Sequence, residues 1–260
     1  MRARCIFVTG SLALVLLVTS RTVSAQDDPA LTSPLNDLAA AQSDRSGFSL
    51  FMGDVFSDYR NMLTLQNLEL AAVGGDISLV VHHWDDNLTV EPGHHASALK
   101  PGNVFGSLAF QFPLATAWWL TGHLTGSERG ADAGRDLLRA QISAVSWTYA
   151  AKYMVNRTRP NGDPRSFPSG HASATFATAT VLEQHYGWKV GVPMYALATY
   201  TAFERVHDRK HWPSDVTFGA TVGFISARTV TLHVRKSRVA VQPQPIPGGL
   251  AIGGTIDVWR

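Results

Sequence analysis

Three segments follow one another at short spacing and decide the fold of this chain: KYMVNRTRP (Lys152–Pro160), FPSGH (Phe167–His171) and RVHDRKHWPSD (Arg205–Asp215). Together they supply a lysine, arginines, histidines, a serine-glycine pair and an aspartate. Cationic side chains can hold the oxygens of a phosphoryl group. One histidine can attack phosphorus while a second protonates the leaving oxygen. The segments therefore predict a metal-free phosphate pocket with a histidine nucleophile.

The same segments resemble the signature of the type 2 phosphatidic acid phosphatase superfamily, which includes bacterial acid phosphatases, lipid phosphatases and vanadium haloperoxidases. The resemblance covers the region from Asn103 to Arg228, and it rests on matches at Lys152, Arg159, Pro160, Pro168, Ser169, Gly170, His171, Arg205, His211 and Asp215. The chain departs from the pattern at Glu204, where the family usually has a serine. This change removes a hydroxyl and places a carboxylate beside Arg205, which could weaken anion binding.

The resemblance implies an all-α helical bundle of the acid phosphatase/vanadium haloperoxidase type, and it implies roles for the matched residues. His211 would be the nucleophile, and Asp215 would reach back to fix its tautomer. His171 would protonate the departing alkoxide and then activate water. Phosphate would be bound by Lys152, Arg159, Ser169, Gly170 and Arg205. Because Ser169 and Gly170 precede an apolar run, they are predicted at a helix N-terminus, which favours an anion.

Several functions are consistent with this pattern. The first is an exported, metal-independent phosphomonoesterase that acts on organic or lipid phosphates through a phosphohistidine. The second is a vanadium-dependent haloperoxidase in which His211 binds vanadate, although the short connection Asn161–Phe167 disfavours it. A lipid phosphoryl transferase and a non-catalytic anion-binding scaffold are further alternatives. The sequence predicts no cofactor for the phosphatase, for which vanadate would be an inhibitor, and it leaves the oligomeric state open.

The N-terminus is typical of a secretory signal peptide, with Arg2 and Arg4 before the apolar stretch Ile6–Val18 and small residues ending at Ala25. The single cysteine, Cys5, lies in this segment. Export without disulfides is compatible with a bacterial periplasm. We therefore predict a signal peptide over 1–25, a flexible lead-in over 26–46, a helical domain over 47–236 and an irregular or extended tail over 237–260.

The charge and hydropathy of the chain indicate whether nucleic acid or a membrane is an expected partner. The formal net charge is +2 and no long basic stripe occurs, which argues against nucleic acid. Only Asn103–Ser127 is an uncharged stretch long enough to cross a bilayer, and it contains Gln111 and Pro113. A buried helix explains it more simply, so we expect a periplasmic or secreted protein with peripheral membrane contact at most, rather than a membrane-anchored one.

Apolar periodicity predicts helices over Phe105–Leu124, Asp132–Val155, His171–Tyr186, Lys189–Val206 and Ser214–His233. A helical pattern over Tyr59–Leu88 is predicted to break at Gly74-Gly75, and Val90–Asn103 and Thr158–Phe167 are predicted loops. Four cations outside the motif positions are interpreted as rim or solvent charges: Arg157, Arg165, Arg209 and Lys210. The cluster His82, His83, Asp85 and Asp86 lacks the ligand spacing of a zinc motif, so no metal site is predicted there.

Overall fold

The computed structural model describes residues 47–89, 100–234, 239–246 and 249–256 of the protein. Its helices are α1 (Gly47–Met62), α2 (Leu65–His82), α3 (Asp85–Leu88), α4 (Lys100–Phe105), α5 (Leu108–Leu124), α6 (Glu128–Val155), α7 (Gly170–Tyr186), α8 (Trp188–His207) and α9 (Pro213–Val234). An antiparallel hairpin of β1 (Val239–Ile246) and β2 (Gly249–Ile256) follows. The predicted all-α bundle with an extended tail is thereby confirmed. The predicted signal peptide and lead-in lie outside the described residues.

Helix α7 lies at the centre of the bundle and contacts α5, α6, α8 and α9. Eight of its seventeen residues are alanine, serine or threonine, and these eight are among its ten buried residues. Small side chains let the neighbouring helices approach closely. A Cβ added to Gly223 of α9 would lie 2.2 Å from the Ser173 carbonyl oxygen. This close packing holds the start of α7, where the FPSGH segment ends, between α6 and α9.

Most predicted helices are present with small changes at their ends, but three local predictions were wrong. Helix α2 runs through Gly74-Gly75, and the breaks fall before and after it, at residues 63–64 and 83–84. A Cβ on Gly74 would lie 2.3 Å from the Thr221 side chain, so this glycine serves close packing on α9 and not a turn. The helix predicted from Phe105 divides at residues 106–107 into α4 and α5.

The third wrong prediction is the loop up to Asn103, because residues 100–105 form α4. Pro101 lies in the first turn of α4, where a proline costs no helical hydrogen bond. Helix α4 packs on α8. As a result Asn103 is carried on a helix that borders the candidate site.

Buried ion pairs attach helix α1 to α6. Arg139 of α6 donates to both carboxylate oxygens of Asp58 at 2.7 and 2.8 Å, and it also contacts Asp136 at 3.1 Å. Asp136 in turn accepts from His185 at 2.9 Å. Removing one member of such a network would leave an uncompensated buried charge, which is strongly destabilising.

The length and hydropathy of the described helices were compared with those of membrane-spanning helices. Within residues 47–89 and 100–234, each helix is too short or too polar to span a bilayer.

Candidate active site

A cavity of about 180 Å³ opens where α6, α7 and α8 meet the loop before α9. Its lining includes six of the residues singled out by sequence: Lys152, Arg159, Gly170, His171, Arg205 and His211. Residues that are far apart in the chain, from the end of α6 to the start of α9, thus face one small space. The remaining two predicted site residues, Ser169 and Asp215, lie directly behind it.

The end of α6 and the loop after it supply two of the cations. Lys152 is buried, and its Nζ donates to the carbonyl oxygens of Arg165 at 2.9 Å and Ser166 at 3.3 Å. Burial lowers the pKa of the Lys152 ammonium to about 8, and the positive charge of Arg159 acts in the same direction. Lys152 is therefore still mostly charged at neutral pH, and an anion in the cavity would stabilise that charge.

The first turn of α7 is capped by Ser169, whose hydroxyl accepts from the Ala172 N–H at 3.4 Å. The Ser169 N–H donates to the carbonyl oxygen of Asp215 at 2.9 Å, which ties this turn to the start of α9. Ser169 is fully buried, and its side chain serves as a helix cap behind the cavity. Gly170 instead faces the cavity at the positive end of the α7 dipole.

His211 is positioned by a tight loop between α8 and α9. The backbone N–H groups of Lys210 and His211 both donate to the Arg205 carbonyl oxygen, at 3.1 and 3.2 Å. The His211 imidazole lines the same cavity as the Arg205 side chain. The His211 side chain is buried, and burial lowers its pKa to about 4, with Lys152 and Arg159 adding to the effect against the opposing pull of Asp215. The ring is thus neutral and nucleophilic at pH 7.

Asp215 lies behind His211, in the first turn of α9. Its Oδ2 is 3.7 Å from His211 Nδ1, which is an ion-pair distance but longer than a hydrogen bond. Oδ2 accepts from the Trp212 N–H at 2.9 Å and from the Ser166 hydroxyl. Burial raises the pKa of the Asp215 carboxyl, but its hydrogen-bond donors and the charge of Arg157 outweigh this and lower it overall. The carboxylate is therefore ionised beside the histidine.

His171 lies on the other side of the cavity, against α4. Its Nε2 is 3.1 Å from Asn103 Oδ1 and 3.2 Å from the Asn103 carbonyl oxygen. A Cβ on Gly106 would lie 2.8 Å from the His171 ring, so only glycine allows this approach. Burial lowers the pKa of His171 to about 3, and the positive charge of Arg205 contributes.

Three polar nitrogens around the cavity are buried without a hydrogen-bond partner: Arg159 Nε, Arg205 Nε and His211 Nδ1. Buried donors without a partner are rare in proteins because each costs about 1–3 kcal/mol. Two of them belong to guanidinium groups that face the cavity. The arrangement fits an oxyanion that would accept from both arginines.

Glu204 is fully buried next to Arg205, and its Oε2 lies 3.4 Å from Arg205 Nη1. The same Nη1 donates to Asn103 Oδ1 at 2.6 Å. Burial raises the pKa of the Glu204 carboxyl to about 7, Arg205 opposes the shift, and the neighbouring Asp208 carboxyl adds to it. The residue that departs from the family pattern is therefore in contact with the predicted phosphate-binding arginine.

Two residues near the site were not found by sequence reasoning. Asn103, at the edge of the resembling region, contacts both His171 and Arg205. Arg157 was interpreted as a rim charge, which was wrong: its guanidinium donates to Asp215 at 2.9 Å and to Asp85 at 2.7 Å. Its position within the first segment, two residues before Arg159, was a signal that could have indicated a role.

The other cations outside the motif lie further from the cavity. Arg165 stacks over the Tyr153 ring at 4.4 Å, Arg209 donates to the Pro160 carbonyl oxygen at 2.9 Å, and Lys210 lies 3.5 Å from Asp163. In the cluster around His82, Asp85 pairs with His82 at 2.6 Å and with Arg157. Throughout the described part of the chain, no three His, Cys, Asp or Glu side chains are grouped so that they could hold a metal ion.

The fold and the site together define a helical-bundle protein with a cationic pocket that contains two histidines. Residues 134–238 match the family model of the PAP2 superfamily. This region contains all three segments, and the resemblance noted from them is confirmed.

Individual relatives agree with this assignment. Over 80 residues the chain is 40% identical to Lipid A 1-phosphatase of Porphyromonas gingivalis. This alignment covers 29% of this chain and 18% of that protein. Over another 80-residue alignment it is 34% identical to Lipid A 4'-phosphatase of Helicobacter pylori. This alignment covers 31% of this chain and 40% of that protein. The chain thus spans less than half the length of these relatives.

Among solved structures, the chain is similar to the first transmembrane PAP2 type phosphatidylglycerolphosphate phosphatase from Bacillus subtilis. The TM-score is 0.51 at 16% identity, and the match covers 74% of this chain and 96% of that one. This likeness supports the fold.

Proposed function

We propose that this chain is a phosphatase that hydrolyses a phosphomonoester of a lipid, without a metal ion, through a phosphohistidine on His211. The observation that carries the proposal is that buried His211 shares one small cavity with His171 and three cations. The relatives named lipid A phosphatases support a phosphorylated lipid as the substrate class.

The reaction begins with binding of the phosphate oxygens by Lys152, Arg159, Arg205 and the N–H groups at the start of α7. Nδ1 of His211 faces Asp215, so Nε2 is the nitrogen available for attack. As the N–P bond forms, the ester P–O bond breaks and the leaving alkoxide takes a proton from His171. A water deprotonated by His171 then attacks phosphorus, breaks the N–P bond and releases phosphate.

His171 must carry a second proton to act as the acid, yet its pKa in the free protein is about 3. A bound phosphate would act against this lowering of the pKa. A dianion among Arg205, Lys152 and the histidines cancels the positive field that, together with burial, lowers the pKa. Substrate binding therefore favours the protonated form of His171 in which it can serve as an acid.

The size and surroundings of the cavity favour a lipid over a small soluble ester. A volume of about 180 Å³ holds a phosphate and the first atoms of its alcohol, so the remainder must lie outside. The last turns of α6, next to Lys152, expose four apolar or aromatic side chains: Tyr149, Tyr153, Met154 and Val155. Acyl chains or a membrane surface would cover this patch. We accordingly propose export, as the signal sequence predicts, and peripheral contact with a membrane.

The test is phosphate release by the purified full chain from diacylglycerol phosphate, a phosphorylated glucosamine lipid and nitrophenyl phosphate, each with excess chelator present. We expect release from a lipid substrate and an acid-labile, base-stable phosphoprotein after rapid quenching, with neither in His211→Ala. Release that needs a divalent cation, or a phosphoprotein in His211→Ala, would contradict the proposal. Release only from the nitrophenyl ester would refute the lipid assignment alone.

A further inference from the structure

The partly exposed Arg157 and the buried Asp85 form a charged pair that contacts Asp215 at Oδ1, whereas His211 lies beside Oδ2. We infer that they are positioning residues for the nucleophile, because they hold the Asp215 carboxylate in place beside His211. The inference rests on the proposed function in one respect, namely that His211 is the nucleophile.

The first observation is that both carboxylate oxygens of Asp215 accept hydrogen bonds. Its Oδ1 accepts from Arg157 Nη1 at 2.9 Å, while Oδ2 accepts from the Trp212 N–H at 2.9 Å and from the Ser166 hydroxyl. Arg157 also stacks over the Trp212 ring at 5.1 Å. Arg157 is thus the one cation hydrogen-bonded to Asp215 in the described part of the chain, and its contact fixes the plane of the carboxylate.

The second observation is that Asp85 holds Arg157 from the other side. Asp85 Oδ2 accepts from Arg157 Nη2 at 2.7 Å. Asp85 also accepts from the Ser214 N–H at 2.9 Å and from the Ser214 hydroxyl at 2.6 Å, while Arg157 Nη1 donates to that hydroxyl at 2.7 Å. Asp85 is almost fully buried although it lies in the four-residue helix α3. Asp85 and Arg157 therefore both hydrogen-bond to Ser214 in the first turn of α9, the turn that carries Asp215.

The electrostatic consequence has a definite sign. The pKa of Asp85, like that of Asp215, is lowered despite burial, because hydrogen bonds from Ser214 and Arg157 favour the ionised form. Removing the guanidinium that the two carboxylates share would disfavour the ionised form of both. The charged or titratable groups that face the carboxylates of Asp85 and Asp215 are His82, Lys152, Arg157 and His211. Loss of Arg157 should therefore raise the pKa of Asp215.

The kinetic test compares Arg157→Gln, Arg157→Lys and Asp85→Asn with wild type. Since neither Arg157 nor Asp85 lines the cavity, we expect kcat to fall about 10- to 100-fold, with KM changed less than about threefold. Arg157→Lys should recover part of kcat. The acid limb of the kcat/KM profile should move to higher pH in Arg157→Gln. Asp86→Asn, exposed and one residue from Asp85, is the matched control.

A second readout does not depend on activity. Nitrogen-15 shifts of the His211 imidazole report which ring nitrogen carries the proton. In wild type we expect Nδ1–H to dominate, facing Asp215, and this population to fall in Arg157→Gln and Asp85→Asn but not in Asp86→Asn. An unchanged tautomer ratio and an unmoved acid limb in folded variants would overturn the inference. If wild type hydrolyses no phosphate ester, the proposed function fails, while the tautomer measurement still decides the positioning role.

Discussion

Asp215 Oδ2 lies 3.7 Å from His211 Nδ1, too far for a hydrogen bond, and Nδ1 has no partner in the buried site. A shift of the imidazole by less than 1 Å would close this contact. Attack on phosphorus makes the imidazole cationic, which strengthens its attraction to the carboxylate. Catalytic hydrogen bonds that are long in the free enzyme commonly tighten in this way when the substrate is bound.

We predict that His211→Ala abolishes turnover, while His171→Ala slows alkyl phosphates far more than nitrophenyl phosphate. A general acid matters most when the leaving oxygen is basic, and its loss typically costs about 10²–10⁴-fold. Steady-state kinetics on both ester types check this. Equal losses for the two esters would remove His171 from the acid role.

Phosphate or vanadate binding should be accompanied by proton uptake at pH 5–6. The pKa values of His171 and His211 are lowered to about 3 and about 4, so both rings are neutral in the free protein at this pH. An anion raises both pKa values, and affinity must therefore increase as the pH falls. Calorimetry in buffers of different ionisation enthalpy measures the uptake. His171→Asn should reduce it, and zero uptake in wild type would refute the assigned cause.

Vanadate should inhibit competitively in the presence of excess chelator. A pocket that stabilises the transition state of phosphoryl transfer binds a trigonal-bipyramidal oxyanion more tightly than the ground-state ester. Inhibition constants measured against a varied ester, with Arg159→Gln and Arg205→Gln as weakened variants, test the site. Inhibition of equal strength in both variants would place vanadate elsewhere.

The match of the three segments to a family signature was enough to predict six of the residues that line the cavity. Lys152 lies in the last turn of α6, Arg159 follows that helix, and His171 lies in the first turn of α7; the apolar pattern of both helices is visible in the sequence. A helix boundary and its motif side chain are therefore predicted together.

The contacts of Arg157 and Asn103 could not be predicted in the same way. Arg157 reaches Asp85, 72 positions earlier, and Asn103 reaches Arg205, 102 positions later. Sequence alone gives no distance between α3 and α9, and a charged loop residue is most often solvated. The break at Gly106 likewise depends on the approach of His171, which only the packed bundle reveals.

The last prediction concerns Glu204, which stands where the family usually has serine. Its carboxyl pKa is raised to about 7, so the group is mostly neutral at pH 5 and ionised at pH 8. When ionised, it competes with phosphate for Arg205, 3.4 Å away. We therefore expect Glu204→Ser to tighten product inhibition by phosphate about 3- to 10-fold at pH 8 and hardly at all at pH 5.

Glu204→Gln is the matched control, because it removes the charge and keeps the volume packed beneath Gly102. It should reproduce the effect at pH 8, and both variants should also lose less stability than wild type as the pH rises from about 4.5 to about 7. In this range the unfolded state has released the Glu204 proton that the folded state still holds, so the wild-type fold becomes less stable as the pH rises. Weaker phosphate binding in both variants at pH 8 would mean that the Glu204 carboxylate instead holds Arg205 in its binding position.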